Sequence, residues 1–198
     1  MNIEKDKKIR KKLKESSVGI AGLGGLGSNA AISLVRAGIG RLVLVDFDKV
    51  EESNLNRQYY FRSQIGKYKV DALKENITKI NPLVKLNIFN QKLISGKMDR
   101  PFRDVDVIIE ALDSAEIKTA FIEEVMQKLP DKPLIAASGV AGYGNSDRIK
   151  TRHIGNLHLC QDEQAKSSDE DVLLAPRVTM ISNWEANLAL ELLLGEDN

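Results

Sequence analysis

The sequence predicts an α/β fold of three layers, a mostly parallel sheet between helices with a few antiparallel strands near the C-terminal part. Three observations predict it. Short apolar runs rich in β-branched residues alternate with helix-length segments, the pattern of strand–helix–strand units. The first run, residues 18–21, leads straight into GLGGLG, where Gly22, Gly24 and Gly27 satisfy G-x-G-x-x-G. The second run, 42–45, ends on Asp46, 19 residues after Gly27. In such a unit the first glycine permits a tight turn, the second lets a phosphate approach the backbone, and the third lets helix and strand pack closely. The helix that follows offers free N–H groups to an anion, and the acid can accept bonds from ribose hydroxyls. The expectation is a Rossmann-like nucleotide half-site that either ATP or a nicotinamide dinucleotide could use.

Composition sets the outer bounds. A chain of 198 residues with 42% hydrophobic and 29% charged residues suits one domain, 1–198, with a real core. Lysine plus arginine number 29 against 28 acids, so nothing demands a nucleic-acid or membrane partner. Cys160 is the only cysteine, which excludes an internal disulfide and a multi-cysteine zinc site. No apolar run approaches the ~18 residues of a spanning helix, and the charged N-terminus lacks an apolar signal core. A cytoplasmic location is the expectation.

The elements follow in order. Residues 3–15 read as a basic helix with Ile9 and Leu13 one turn apart, a solvated helix with a thin apolar stripe; Arg10 is its candidate for a partner contact. Residues 28–37 form the helix after the glycines, and Gly38 and Gly40 turn the chain into the second strand. Residues 46–62 begin at a strand's carboxyl end, where ligands of open α/β sheets bind, and hold acids, asparagines and Arg57 beside Tyr59, Tyr60 and Phe61. An arginine there has an obvious task as a planar fork for phosphate oxygens. Ser53 and Asn54 also suit the capping of a short helix.

The spacing of Val70, Leu73, Ile77 and Ile80 predicts an amphipathic helix over 64–81, ended by Pro82. Lys67 and Lys69 lie near its start, where the helix dipole repels a cation unless an anion faces it. Residues 84–89 alternate like a half-buried strand, 95–103 form a loop, and 105–111 form a buried strand. Asp113 follows at that strand's carboxyl end, level with Asp46 if the strands are parallel; it either caps the helix of 115–128 or holds Mg²⁺ against phosphates. Residues 133–138 make another strand. Residues 148–153 and 157–160 look like a short hairpin or meander that carries both histidines, His153 and His158, without further metal ligands. Cys160 suits a buried thiol. Residues 161–171 read as a loose polar connection, and 173–194 as a long apolar helix with Trp184, Leu188 and Leu192 on one face.

The motifs GLGGLGSN, DFDKVEESNLNRQ, the lysine of QIGKYKV and the aspartate of EALDS come in this order. Together they resemble the ThiF/MoeB/ubiquitin-activating family over about residues 18–140, with a weaker echo in LLAPRVTMISNWEANLALELLLG. The resemblance implies ATP-dependent adenylation of the C-terminal glycine of a ubiquitin-like sulfur carrier. Length and the single cysteine look most like the compact, ThiF-like proteins of thiamine thiazole synthesis, with a ThiS-like, Gly-Gly-tailed carrier as partner and a homodimer as assembly. It also implies site residues. Arg57, Lys69 and Asp113 would be catalytic, with Asp113 holding Mg²⁺ through ATP. Gly22, Gly24, Gly25, Gly27, Asp46, Asp48, Asn54 and Gln58 would join them in binding the nucleotide. Paired C-x-x-C motifs are absent, so no zinc is expected; Ser114 stands where the family usually has asparagine. The alternatives are adenylation of another substrate, namely a molybdopterin-type sulfur carrier, the end of a small peptide or a threonylcarbamoyl group on tRNA; an NAD-dependent oxidoreductase; and a non-catalytic nucleotide-binding partner.

Overall fold

Five apolar runs form the parallel part of one sheet: β1 (Ser17–Ala21), β2 (Arg41–Asp46), β3 (Lys85–Asn90), β4 (Val107–Glu110) and β5 (Leu134–Ser138). The hairpin of β6 (Lys150–Ile154) and β7 (Leu157–Gln161) extends it, with β7 parallel to β5 and β6 antiparallel to β7. The order is β3-β2-β1-β4-β5-β7-β6. The structure, a computed structural model, describes residues 3–165 and 171–195. Part of the polar connection expected at 161–171 therefore lies outside the described residues.

The sheet is covered on both faces, as parallel sheets must be. Helices α2 (Gly25–Ala37), α3 (Lys69–Ile80) and α5 (Ala175–Leu194) share one core with Val18, Ile20, Leu42 and Leu44, and α1 (Ile3–Glu15) joins it through Leu13. Helix α4 (Ala115–Lys128) and the segment around Phe102 cover the other face against Ala21, Val43, Ile108 and Ala136. Alternate residues of each strand serve opposite cores, which is the two-residue period of a strand made visible. Among the described residues no helix is long and apolar enough to cross a membrane.

The starts of two helices and the role of one glycine differ from the sequence reading. Helix α3 begins at Lys69, not at 64, because Gln64 ends a 3-10 turn and Gly66 adopts a left-handed φ of 88°. Helix α2 begins at Gly25, inside the glycine motif. Gly40 does more than turn the chain: a Cβ there would lie 1.8 Å from the Lys14 carbonyl, so its bareness lets the end of α1 lie against the entry to β2.

The chain order decides where a ligand can sit. From β1 the chain winds outward through β2 and β3, then crosses back to place β4 on the other side of β1. That reversal opens a crevice beyond the carboxyl ends of β1 and β4, the switch point at which open α/β sheets bind ligands.

Candidate functional site

A cavity of about 470 Å³ opens at that switch point. The glycine turn forms its floor. Gly22 has φ 90°, and a Cβ there would strike the Ala111 carbonyl at 2.6 Å; at Gly27 it would lie 1.9 Å from the Gly22 carbonyl. Both positions are closed to any side chain by neighbouring backbone. Gly24 is different, since its nearest neighbour would be Gln58 Nε2 at 3.8 Å, and it faces the cavity. Gly25 lies against α5, where an added Cβ would meet Val178 Cγ1 at 2.8 Å.

Asp46 braces this turn. One carboxylate oxygen accepts from the Leu23 N–H at 2.6 Å and the other from the Asp48 N–H at 2.7 Å. Tyr60 donates to the Leu23 carbonyl at 2.8 Å, so both backbone polar groups of Leu23 are taken. Burial pushes the Asp46 carboxyl upward, offset in part by the nearby Lys69 charge and its two backbone bonds. It pushes the Tyr60 phenol well up, beside Asp46 and Asp48.

The segment after β2 is tied to the start of α2. Asn29 Nδ2 donates to the Arg57 carbonyl at 2.9 Å, and the Tyr59 N–H donates to Ser28 Oγ at 3.0 Å. The stem of Arg57 thereby lies along the glycine turn, with Cγ 3.6 Å from where a Gly25 Cβ would be. Its guanidinium donates to the Ser53 carbonyl at 3.0 Å and to Asn56 Oδ1 at 2.8 Å. Gln58 is buried on the cavity wall, and its Oε1 has no hydrogen-bond partner among the described residues. Lys69, buried at the first position of α3, donates from Nζ to Asp48 Oδ2 at 2.8 Å, while its N–H bonds the Asp48 carbonyl at 2.8 Å. The anion that a cation at a helix start requires is thus Asp48.

Asp113 is on the opposite wall. Ser114, not Asp113, caps α4 by accepting from the Ile117 N–H at 3.4 Å. The Asp113 side chain is exposed to the cavity and makes no hydrogen bond or ion pair among the described residues. Of the two roles the sequence left open, capping is the one the structure removes.

The structure therefore brings Gly22, Gly24, Gly25, Asp46, Asp48, Arg57, Gln58, Lys69 and Asp113 around one cavity. Gly27 lies beneath it, fully engaged with the turn. Asn54 stands outside the lining: its Oδ1 accepts from the Glu51 N–H at 3.1 Å and caps a 3-10 turn. Arg10 is exposed and pairs with Asp6 at 2.8 Å. Lys67 pairs with Glu75 at 2.7 Å at the surface. The histidines face each other across β6 and β7, Nδ1 to Nδ1 at 2.6 Å, away from the cavity. Cys160 is buried, its thiol pushed up to about 12 by burial, and takes no part in the lining.

Several lining residues escaped the sequence reading. Gln91, Lys92 and Leu93 follow β3, Lys118 reaches over from α4, Ser138 ends β5 and residues 139–141 follow it. Their shared signal is position after a parallel strand's carboxyl end, which needs the strand order to be known first.

A profile of the ThiF family matches residues 2–198. The chain belongs to the ThiF family. A tRNA threonylcarbamoyladenosine dehydratase of Bacillus subtilis is 36% identical over 152 residues, covering 74% of this chain and 58% of its own. An adenylyltransferase and sulfurtransferase UBA4 of Kluyveromyces lactis is 31% identical over 191 residues, 93% of this chain and 43% of its own. The chain thus spans about half the length of these curated relatives. In fold it is similar to the tRNA N6-threonylcarbamoyladenosine dehydratase TcdA of E. coli, solved in complex with AMP, with a TM-score of 0.85 at 21% identity over 94% of this chain and 89% of that one.

Proposed function

We propose that this protein is an ATP-dependent adenylyltransferase that activates the C-terminal glycine carboxylate of a ubiquitin-like sulfur carrier of the ThiS type, in the supply of sulfur for thiamine thiazole synthesis. The observation that carries the reading is convergence: Arg57, Lys69 and Asp113, far apart in sequence, line one cavity over the glycine turn. An oxidoreductase would use the turn and Asp46 but would leave those three without work.

In this reading an oxygen of the acceptor carboxylate attacks the α-phosphorus of ATP. The bond from that phosphorus to the bridging oxygen breaks, and its electron pair leaves with pyrophosphate. The acceptor is already ionised at neutral pH, so no general base is needed. The protein's task is alignment and stabilisation of the charge growing on the leaving group. Arg57 and Lys69 supply fixed cations, with Lys69 exchanging part of its contact with Asp48 for phosphate. Asp46 has lone pairs left for a ribose hydroxyl. The uncommitted carboxylate of Asp113 suits a hard cation such as Mg²⁺. Among the described residues no three His, Cys, Asp or Glu converge as a metal group, so such an ion would take most of its oxygens from phosphate and water. Bound there, Mg²⁺ would neutralise phosphate charge as a Lewis acid.

Exposed Tyr143, Val172 and Leu174 stand next to the lining residues 139–141 and Leu173. An apolar rim there favours a protein tail as acceptor. The basic α1 and the dehydratase likeness favour a second acceptor, a threonylcarbamoyl group on tRNA. A homodimer belongs to the proposal, and light scattering measures it directly.

Pyrophosphate exchange into ATP, assayed with a Gly-Gly-tailed carrier and separately with threonylcarbamoylated tRNA, separates the acceptors. Exchange with the carrier alone is expected. Tight NAD binding without exchange on any acceptor would overturn adenylation. Arg57→Ala and Asp113→Ala should each lower turnover by ~10²–10³ while circular dichroism stays native.

A further inference from the structure

One buried ion pair beside the cavity has no part in the scheme above. Glu110, the last residue of β4, is fully buried and has 0% side-chain exposure. Its Oε1 accepts from the Leu112 N–H at 2.7 Å, and its Oε2 accepts from Lys118 Nζ. Lys118 lies on the first turn of α4, lines the cavity, and donates a second bond to the Ala137 carbonyl of β5 at 3.3 Å. The turn of residues 111–113 is held from three sides. Its Ala111 N–H bonds the Ala21 carbonyl at 2.8 Å, and its Ala111 carbonyl abuts Gly22. The third hold is the carboxylate of Glu110 on the Leu112 N–H, and that carboxylate stays ionised in a buried place only while Lys118 accompanies it.

We propose that Lys118 and Glu110 are positioning residues for Asp113: they hold the 111–113 turn so that the Asp113 carboxylate meets a divalent cation carried by the nucleotide phosphates. The inference rests on the proposed role of Asp113. Loss of Lys118 neutralises Glu110, weakens its grip on the Leu112 N–H and frees Asp113 to wander. The glycine turn, Arg57 and Lys69 remain in place, because none of them bonds to the pair. The effect therefore falls on binding that needs the cation, not on nucleotide binding as such. Groups that orient a metal-binding carboxylate typically change metal affinity by ~10–100-fold when removed.

Calorimetric titration of the folded protein tests this with three probes: ATP with Mg²⁺, ATP with EDTA, and AMP. In Lys118→Met the MgATP affinity is expected to fall roughly tenfold or more, with the EDTA and AMP affinities within about twofold of wild type. Lys118→Arg is expected to restore MgATP binding, since it keeps a cation on Glu110. Should Lys118→Met fail to fold, the double variant Glu110→Gln with Lys118→Met removes both charges, and the same selective loss is expected of it. An equal loss of all three affinities, or no loss, overturns the pair's role. If the wild-type protein itself binds ATP equally with and without Mg²⁺, the reading of Asp113 falls instead, which is a separable result.

Discussion

Glu185 lies wholly inside the protein on α5, and among the described residues neither of its carboxyl oxygens has a hydrogen-bond partner. Burial pushes its carboxyl well up; the Lys118 charge works against that and the Glu110 charge adds to it. Glu110 engages Lys118 directly, whereas Glu185 has no cation bonded to it among the described residues, so its neutral form is the more favoured. The sign of the pH effect follows. A glutamate whose folded-state pKa exceeds its unfolded value binds more protons when folded, so stability falls as pH rises above the ordinary carboxyl range. The fall continues until the folded-state pKa is reached, at about 1.4 kcal/mol per pH unit. Glu185→Gln removes this slope. Thermal melts of wild type and variant over a pH series that starts in the ordinary carboxyl range should show the variant gaining on wild type as pH rises, and parallel curves would overturn the raised carboxyl. Nothing in the one-dimensional pattern marks this residue: a lone glutamate in an apolar helix reads as a solvent-facing position until the neighbouring helix and sheet are in place.

At the level of elements, the glycine turn makes two glycines close in sequence behave oppositely. Gly27→Ala forces a Cβ to 1.9 Å from the Gly22 carbonyl, so it should lower the melting temperature and abolish nucleotide binding together. Gly24→Ala has room, with its nearest neighbour at 3.8 Å, so the fold should keep its melting temperature while ATP affinity drops. A melt and a nucleotide titration on each variant check both outcomes. This part of the molecule was readable in advance because the motif is a backbone device: its spacing alone states which glycine turns, which admits a ligand and which packs. The start of α3 was not. Hydrophobic periodicity runs back past Lys69, and only the bonding of the Lys69 N–H to Asp48 and the left-handed Gly66 show where the helix begins. Asn54 shows the other limit. Its motif neighbours reach the cavity, but its own short side chain is consumed by the local turn, a choice between near and far partners that spacing does not reveal.

Across the whole molecule, the loop after β5 is fastened to α5 by a buried guanidinium. Arg177 donates to Asp162 Oδ2 at 2.7 Å and to the carbonyls of Gly139 at 3.1 Å and Gly144 at 2.9 Å. Burial pushes the Asp162 carboxyl up, but the Gln164 N–H and Arg177 outweigh it and hold it below its ordinary value. Arg177→Ala strands that carboxylate and frees a cavity wall, so chemical denaturation should show a loss of roughly 3–5 kcal/mol. The strand order explains why this wall was invisible to sequence reading: residues 139–141 acquire their place only once β7 is inserted beside β5 and α5 returns across the sheet.

The two margins of the sheet carry a consequence for self-association. Edge strand β3 exposes Lys85, Asn87 and Asn90, and edge strand β6 exposes Lys150, Arg152 and His153. Ribbons bordered by cations and amides repel a second ribbon laid alongside them. Each seven-strand layer is thereby kept to its own chain and poorly suited to seed fibrils.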